Sequence, residues 1–393
     1  MTFLTSILLG LCMGSGAAVS MQYGSGETEK MRQSVFQSFL LIAGIALMLN
    51  LLVYLGLNGI LWVLRVPAEL CPLMKDYLFI VFLGIAATFL YNYFANLLRA
   101  IGNSVVPLAF LAVSAILNVI LDLVCVLVLD WGVKGAAVAT VFSQYVSGVG
   151  IGLYTLKKFP QLCPKRTDCR WDRKNLANIL NLSVMTSVQQ SIMNFGILMV
   201  QGLVNSFGTV IMAAFAAAVK IDSFAYMPVQ DFGNAFSTFI AQNYGAGKPE
   251  RARKSLLAGL TFALAASSLF WLWAQLSPQT MIAVFSQDPA IIKTGIPFFT
   301  ACSYDYLAVT LVFCMNGYLN GRSQTIFTMI SSCFGALILR IPLIYLVSTH
   351  TPDNLTRIGS IAPAVSFFMA AYTSLYLIHS YRHEKRAMSQ STH

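Results

Sequence analysis

Acidic residues are few in this chain: 15 Asp and Glu in 393 residues, against 25 Lys and Arg, with all charges together making up 10% of the sequence. A soluble domain spends about a quarter of its residues on charge. At 57% hydrophobic, this chain has material for a large core but too little polar surface to cover it. Lipid is therefore its solvent over most of its length. Histidine is scarcer still, at 4 residues, and His350, His379, His383 and His393 all fall at the ends of apolar runs or in the tail. That argues against a membrane-embedded enzyme, which needs a nucleophile–base pair or metal ligands at depth. No glycine-rich phosphate loop followed by Lys and Ser or Thr occurs, so ATP-driven transport is unsupported. The 8 cysteines show no repeated spacing. Cys163 and Cys169 flank a basic loop without a nearby histidine, a poor zinc site, and all eight read as reduced or buried thiols. No Lys or Arg precedes Lys30, so the apolar amino terminus does not read as a secretory signal. The basic excess forms no patch within a soluble fold, which argues against a nucleic-acid partner.

What the sequence has in abundance is long apolar runs. A bilayer core about 30 Å thick needs about 20 apolar residues in a helix, because each backbone amide there must bond within its own segment. Eleven stretches qualify, near 2–23, 34–56, 77–98, 106–129, 136–156, 176–204, 209–243, 255–276, 290–317, 325–347 and 358–380. The fold class is thus an all-α polytopic membrane protein. The stretch at 209–243 exceeds one crossing and is expected to tilt, bend or protrude.

Basic residues test the sidedness. With the loop after the first span assigned to the cytoplasm and alternation from there, 18 of them fall on the cytoplasmic side, including Lys30, Arg99, Arg166, Arg253 and Arg382. The opposite side receives 5, namely Arg65, Lys75, Lys134, Lys293 and Arg357. Lys220 and Arg340 remain inside spans. This asymmetry supports the span count and puts the amino terminus outside and the carboxyl terminus in the cytoplasm.

The first and seventh spans end alike. Tyr23-Gly24-Ser25-Gly26, then Glu29, Lys30, Arg32 and Ser34, is matched by Tyr244-Gly245-Ala246-Gly247, then Glu250, Arg251, Arg253 and Ser255, at a constant offset of 221. A second echo sets Gly102-Asn103-Ser104 beside Gly321-Arg322-Ser323. The glycines suit tight turns that end one helix and release the chain. Two motifs in one order favour duplication over convergent turn chemistry. Both copies lie on the cytoplasmic side, which makes the repeat parallel, a transporter arrangement. The halves divide as an amino-terminal lobe at 1–157, a basic linker at 158–175, a carboxyl-terminal lobe at 176–381 and a tail at 382–393. The second half has six spans and the first five, so the repeat expects one further span ahead of Met1, twelve in all.

These features resemble the multidrug and toxic compound extrusion (MATE) family. The stretches that carry the resemblance are Gln22-Tyr23-Gly24-Ser25-Gly26, Arg99-Ala100-Ile101-Gly102-Asn103-Ser104, Asn118-Val119-Ile120-Leu121-Asp122 and Ala241-Gln242-Asn243-Tyr244-Gly245-Ala246-Gly247. The resemblance covers the chain from the family's second span onward. It implies two pseudo-symmetric six-helix lobes around a central cleft, and a secondary active antiporter that exports organic, cationic or aromatic drug-like compounds in exchange for H⁺ or Na⁺. It also implies a multi-pass protein of the bacterial cytoplasmic membrane, a small-molecule substrate, surrounding lipid, a monomer, and no cofactor beyond the coupling ion. The rival readings are a lipid-linked precursor flippase of the same superfamily and an inactive truncated transporter.

Ionisable groups at membrane depth cost a few kcal/mol each, so each needs a partner, a wet cavity or a task. Asp122 lies four residues after Asn118, on the same helix face, and Thr140 in the following span is placed to approach them. Carboxylate, amide and hydroxyl oxygens together suit a hard monovalent cation or a proton; by resemblance, matching residues serve coupling in some MATE proteins. Asp305, by its spacing to Asn316-Gly317, falls where others carry a tenth-span carboxylate used in coupling. The seventh-span glutamate of those relatives is absent here, where the stretch reads Gln189-Gln190-Ser191-Ile192-Met193-Asn194. Candidates for the substrate cleft are Lys220, Asp222, Tyr226, Asp231, Gln189, Gln190, Asn194 and Asn92. Lys220 and Asp222, two apart, do not face each other. Lys220 and Asp231, eleven apart, share one face. Tyr226 and Met227 beside Pro228 offer stacking and cation–π contact to a bulky cation.

Overall fold

A computed structural model describes residues 2–63, 71–204, 209–350 and 354–391. Arg65 and His393 lie outside the described residues, as do the side chains of His383, Lys385 and Arg386. Among the described residues there is no strand. The helices, in chain order, are α1 (Thr2–Ser25), α2 (Thr28–Val63), α3 (Cys71–Ala100), α4 (Val105–Leu123), α5 (Gly132–Lys158), α6 (Arg173–Val204), α7 (Thr209–Gly245), α8 (Pro249–Leu276), α9 (Pro278–Ala283), α10 (Pro289–Cys302), α11 (Asp305–Gly321), α12 (Thr325–Cys333), α13 (Ile341–His350) and α14 (Leu355–Ser391). Two π-helical segments interrupt spans: Val124–Val128 continues α4, and Phe334–Arg340 joins α12 to α13. Such widened turns accompany functional sites more often than chance.

Among the described residues, 9 stretches are long and apolar enough to cross a membrane, and each coincides with one of the eleven stretches expected from the sequence. The other two expected stretches, 176–204 and 209–243, are helical as α6 and α7. One expected span is broken in two: within Pro289–Gly321 the α-helix stops after Cys302 and restarts at Asp305.

The repeat is visible in the backbone. Gly26 has φ 76° and Gly247 φ 68°. The chain-reversing bonds Glu27 N–H to Gln22 C=O and Lys248 N–H to Asn243 C=O, at 3.1 and 2.8 Å, are again 221 residues apart. The second echo needs a correction. The left-handed residue after α3 is Gly102 (φ 87°), and after α11 it is Ser323 (φ 60°), not Gly321. Asn103 N–H to Leu98 C=O and Gln324 N–H to Leu319 C=O, both 2.9 Å, confirm that pairing. The glycines at 102 and 321 match by composition only; the conformational offset is 221 here too. Gly321 is small for another reason: a Cβ there would stand 2.5 Å from the Ser237 carbonyl oxygen.

The chain forms two compact units, Met1–Ser191 with Gly245–Gly247, and Ile192–Tyr244 with Lys248–His393. In the first, Leu8, Cys12, Ile42, Ile85, Phe89 and Tyr93 build the core. The first half of α6 packs on α1 so closely that a Cβ on Gly14 would meet the Leu182 carbonyl at 2.5 Å, and Gly10 is held equally close to Ser187. Small residues four apart on both helices permit this approach.

The basic segment before α6 is not free. Arg32 Nε donates to Asp168 Oδ2 at 2.6 Å, and Gln33 and Gln37 both donate to the Arg170 carbonyl. Asn175 exchanges hydrogen bonds with Gln22, Ser34 and Gln37. The Lys165 N–H, followed by the Arg32 guanidinium, holds the Asp168 carboxyl below the ordinary carboxylate range. A lowered folded-state value means that the contribution is present above about pH 4 and lost as pH falls through that lower value. Asp168→Asn removes it at every pH. The expected result is faster proteolytic cutting within 163–172 at neutral pH, a rate that wild type reaches only in acid.

The second unit packs Ile221, Phe299, Tyr306 and Met281 into one cluster. Ser267 and Thr310 hydroxyls meet at 2.6 Å between α8 and α11. Gln275 spans the break between α10 and α11, donating to the Thr300 carbonyl at 3.0 Å and to Ser303 Oγ at 2.8 Å. That amide takes up backbone and hydroxyl acceptors which the interrupted helix leaves over.

Candidate functional site

The break places Asp305 in the first turn of α11, where the helix dipole favours a negative charge. Its side chain is 1% exposed. Oδ2 receives two donors: Tyr226 Oη from α7 at 2.8 Å, and Arg340 Nη2 from the end of the second π segment at 3.0 Å. The same Arg340 nitrogen reaches Ser366 Oγ of α14 at 3.1 Å. Oδ1 of Asp305 is buried without a hydrogen-bond partner. One turn earlier on α7 than Tyr226, Asp222 Oδ1 accepts from Tyr306 Oη at 2.7 Å. The two tyrosine rings stand edge to face at 5.5 Å. Two carboxyls, one guanidinium and two phenols thus meet inside one helical unit.

The first unit holds a smaller group. Asn118 Nδ2 donates to Thr140 Oγ1 at 3.4 Å, and Thr140 itself donates to the Ala136 carbonyl at 2.9 Å. Asp122, one turn along α4 from Asn118, has its Oδ1 buried with no hydrogen-bond partner. The π segment Val124–Val128 begins two residues later. With the 221-residue offset, the counterpart of Asp122 is Leu343 and that of Arg340 is Val119, so one turn separates an acid in one half from a base in the other.

The remaining candidates are more scattered. Lys220 and Asp231 are both exposed, on opposite sides of Pro228 in α7. Met227 is 63% exposed, while its neighbour Tyr226 turns to Asp305. Gln189 and Gln190 are buried in the first unit, Gln190 Nε2 lying 3.8 Å from Met13 Sδ. Asn194 is half-buried. Asn92 donates to the Thr88 carbonyl at 2.8 Å within its own helix. Sequence reasoning gave no role to Arg340, Tyr306 or Ser366. A signal for Arg340 was present: a lone arginine in an apolar span requires an acid, and Asp305 and Asp222 are intramembrane acids of the same half. Among the described residues no group of three or more His, Cys, Asp and Glu could hold a metal.

A helical multi-pass chain that draws its ionisable groups together inside apolar bundles falls in the class of membrane transporters. A family model described as MatE matches residues 1–124 and 183–346, and the chain belongs to that family, the MATE multidrug efflux transporters. A Bacillus subtilis relative, described as probable multidrug resistance protein YpnP, is 26% identical over 345 residues, covering 87% of this chain and 77% of its own. The FAD transporter of Shewanella oneidensis is 24% identical over 352 residues, covering 86% and 77%. Among solved structures, a MATE crystal structure in the bent conformation superposes with TM-score 0.91 at 17% identity, over 98% of this chain and 86% of that one. The Vibrio cholerae MATE transporter VcmN, also bent, gives TM-score 0.86 at 19% identity, over 97% and 86%. At such identities the structural likeness concerns the fold. The relatives are transporters, and the fold they share has two helical lobes.

Proposed function

We propose that this chain is a secondary active antiporter that exports organic, cationic or aromatic compounds in exchange for H⁺ or Na⁺ by alternating access. The observation that carries the reading is the buried, unpartnered Oδ1 of Asp122 beside Asn118 and Thr140. A buried acceptor left unpaired costs about 1–3 kcal/mol, a cost that a bound proton or cation relieves. An ion can drive transport only if its affinity differs between the two end states, and an acid with spare acceptor capacity is suited to that. The coupling ion is the only small ligand required besides the substrate. The excess of basic residues in alternate loops supports a cytoplasmic-membrane protein with its amino terminus outside.

The test is dye efflux from cells expressing wild type and Asp122→Asn. Wild type is expected to expel dye with a rate that follows the ion gradient, and the variant to insert normally but lose coupled efflux. Equal efflux by both proteins removes Asp122 from the mechanism. The FAD transporter relative makes a flavin a second cargo to assay in the same cells.

A further inference from the structure

The charged group in the second unit does not balance. Asp305 and Arg340 form an ion pair at 3.0 Å, and Tyr226 donates to the same carboxylate oxygen. Among the described residues Asp222 has no ion-pair partner: the hydrogen bond it receives comes from a neutral phenol, Tyr306, and Arg340 acts on it only at longer range. Lys220, two residues away on α7, is exposed and on another face of the helix. The titratable and charged groups facing Asp222 are therefore Tyr306 and Asp305 of α11, Cys302 at the end of α10, Arg340 at the end of the second π segment, and Tyr226 on its own helix. With both acids ionised, the two aspartates and Arg340 carry one negative charge in excess. One proton makes the group neutral.

We propose that Arg340 is the resident counter-cation of Asp305, and that the exchangeable proton of this unit is carried by Asp222. The two acids differ in what protonation leaves behind. A proton on Asp305 strands the Arg340 guanidinium in a largely apolar surrounding without its partner, a costly arrangement. A proton on Asp222 strands nothing: its carbonyl oxygen still accepts from Tyr306, and the Asp305–Arg340 pair stays intact. The binding step is simple: a hydronium gives its proton to an Asp222 oxygen and leaves as water, and the reverse step releases it.

The use of that proton in export rests on the antiporter reading, but its location does not, and the experiment separates the two. The full chain in lipid nanodiscs is titrated by infrared difference spectroscopy, reading the carbonyl band of protonated carboxylic acids. Asp222→Asn is expected to delete one titrating band present in wild type, and Asp222→Glu to return one at a shifted frequency, which shows that the site still folds. Arg340→Gln is expected to add a second band, from an Asp305 that has lost its cation, whereas Arg340→Lys keeps the wild-type pattern. A band set unchanged in Asp222→Asn, or no new band in Arg340→Gln, overturns the proposal. Absent dye efflux with this band pattern intact counts against antiport and leaves the assignment of Asp222 standing.

Discussion

Arg340→Leu is expected to destabilise the protein by about 3–5 kcal/mol, the usual penalty for removing one partner of a buried ion pair. Asp305 is 1% exposed, its Oδ1 already lacks a partner, and without the guanidinium the Tyr226 hydroxyl is the side-chain donor that remains on its carboxylate among the described residues. Thermal unfolding of the purified protein measures the loss. The double variant Arg340→Leu with Asp305→Leu supplies the decisive comparison. Replacing both charges with apolar groups is often neutral or stabilising, so the double variant should recover most of what the single one loses. A single variant as stable as wild type would show that the pair is not held in the geometry described.

Gly317→Leu is expected to be at least as damaging, for a steric reason. A Cβ at 317 would meet the Gly233 carbonyl carbon at 3.2 Å, with the carbonyl oxygen nearer still. One turn along α11, a Cβ on Gly321 would lie 2.5 Å from the Ser237 oxygen and 2.7 Å from Ile240 Cβ. The obstacle is main chain, which cannot rotate aside as a side chain does. Overpacking in a core that relaxes costs about 1–3 kcal/mol; here α7 and α11 must separate along their length, so the loss should exceed that range. The yield of monodisperse protein after detergent extraction should collapse. Gly44→Leu is the control, since a Cβ at 44 meets nothing within 4 Å, and its yield should match wild type.

The helical, multi-pass class and the repeat were legible in the sequence because both are written in one dimension. A run of about 20 apolar residues is a span whatever lies beside it, and Tyr23 to Gly26 repeats at Tyr244 to Gly247 whatever the packing. Tertiary choices were not legible. Asp305 and Arg340 are 35 residues apart on different helices, and no periodicity links them. The restart of the helix at Asp305 left no mark either, since Ser303 and Tyr304 are ordinary inside an apolar run. The register of the second turn was obscured because glycine has two uses: Gly102 is required by backbone conformation, Gly321 by the nearness of Ser237. Sequence alone does not tell these apart. The Asn118–Thr140 approach was foreseeable because both sit at polar positions in consecutive spans, and neighbouring spans commonly pack together.

Ser323 has a consequence for how the two halves came to differ. It holds a left-handed backbone at φ 60° where Gly102 does so at φ 87°, and a side chain in that region costs roughly 1–2 kcal/mol that glycine escapes. The second half therefore keeps the turn without the residue that makes it easy. Ancestry here is recorded in dihedral angles more faithfully than in letters, so a search for the repeat by residue identity reads Gly321 as the match and misplaces it by two positions.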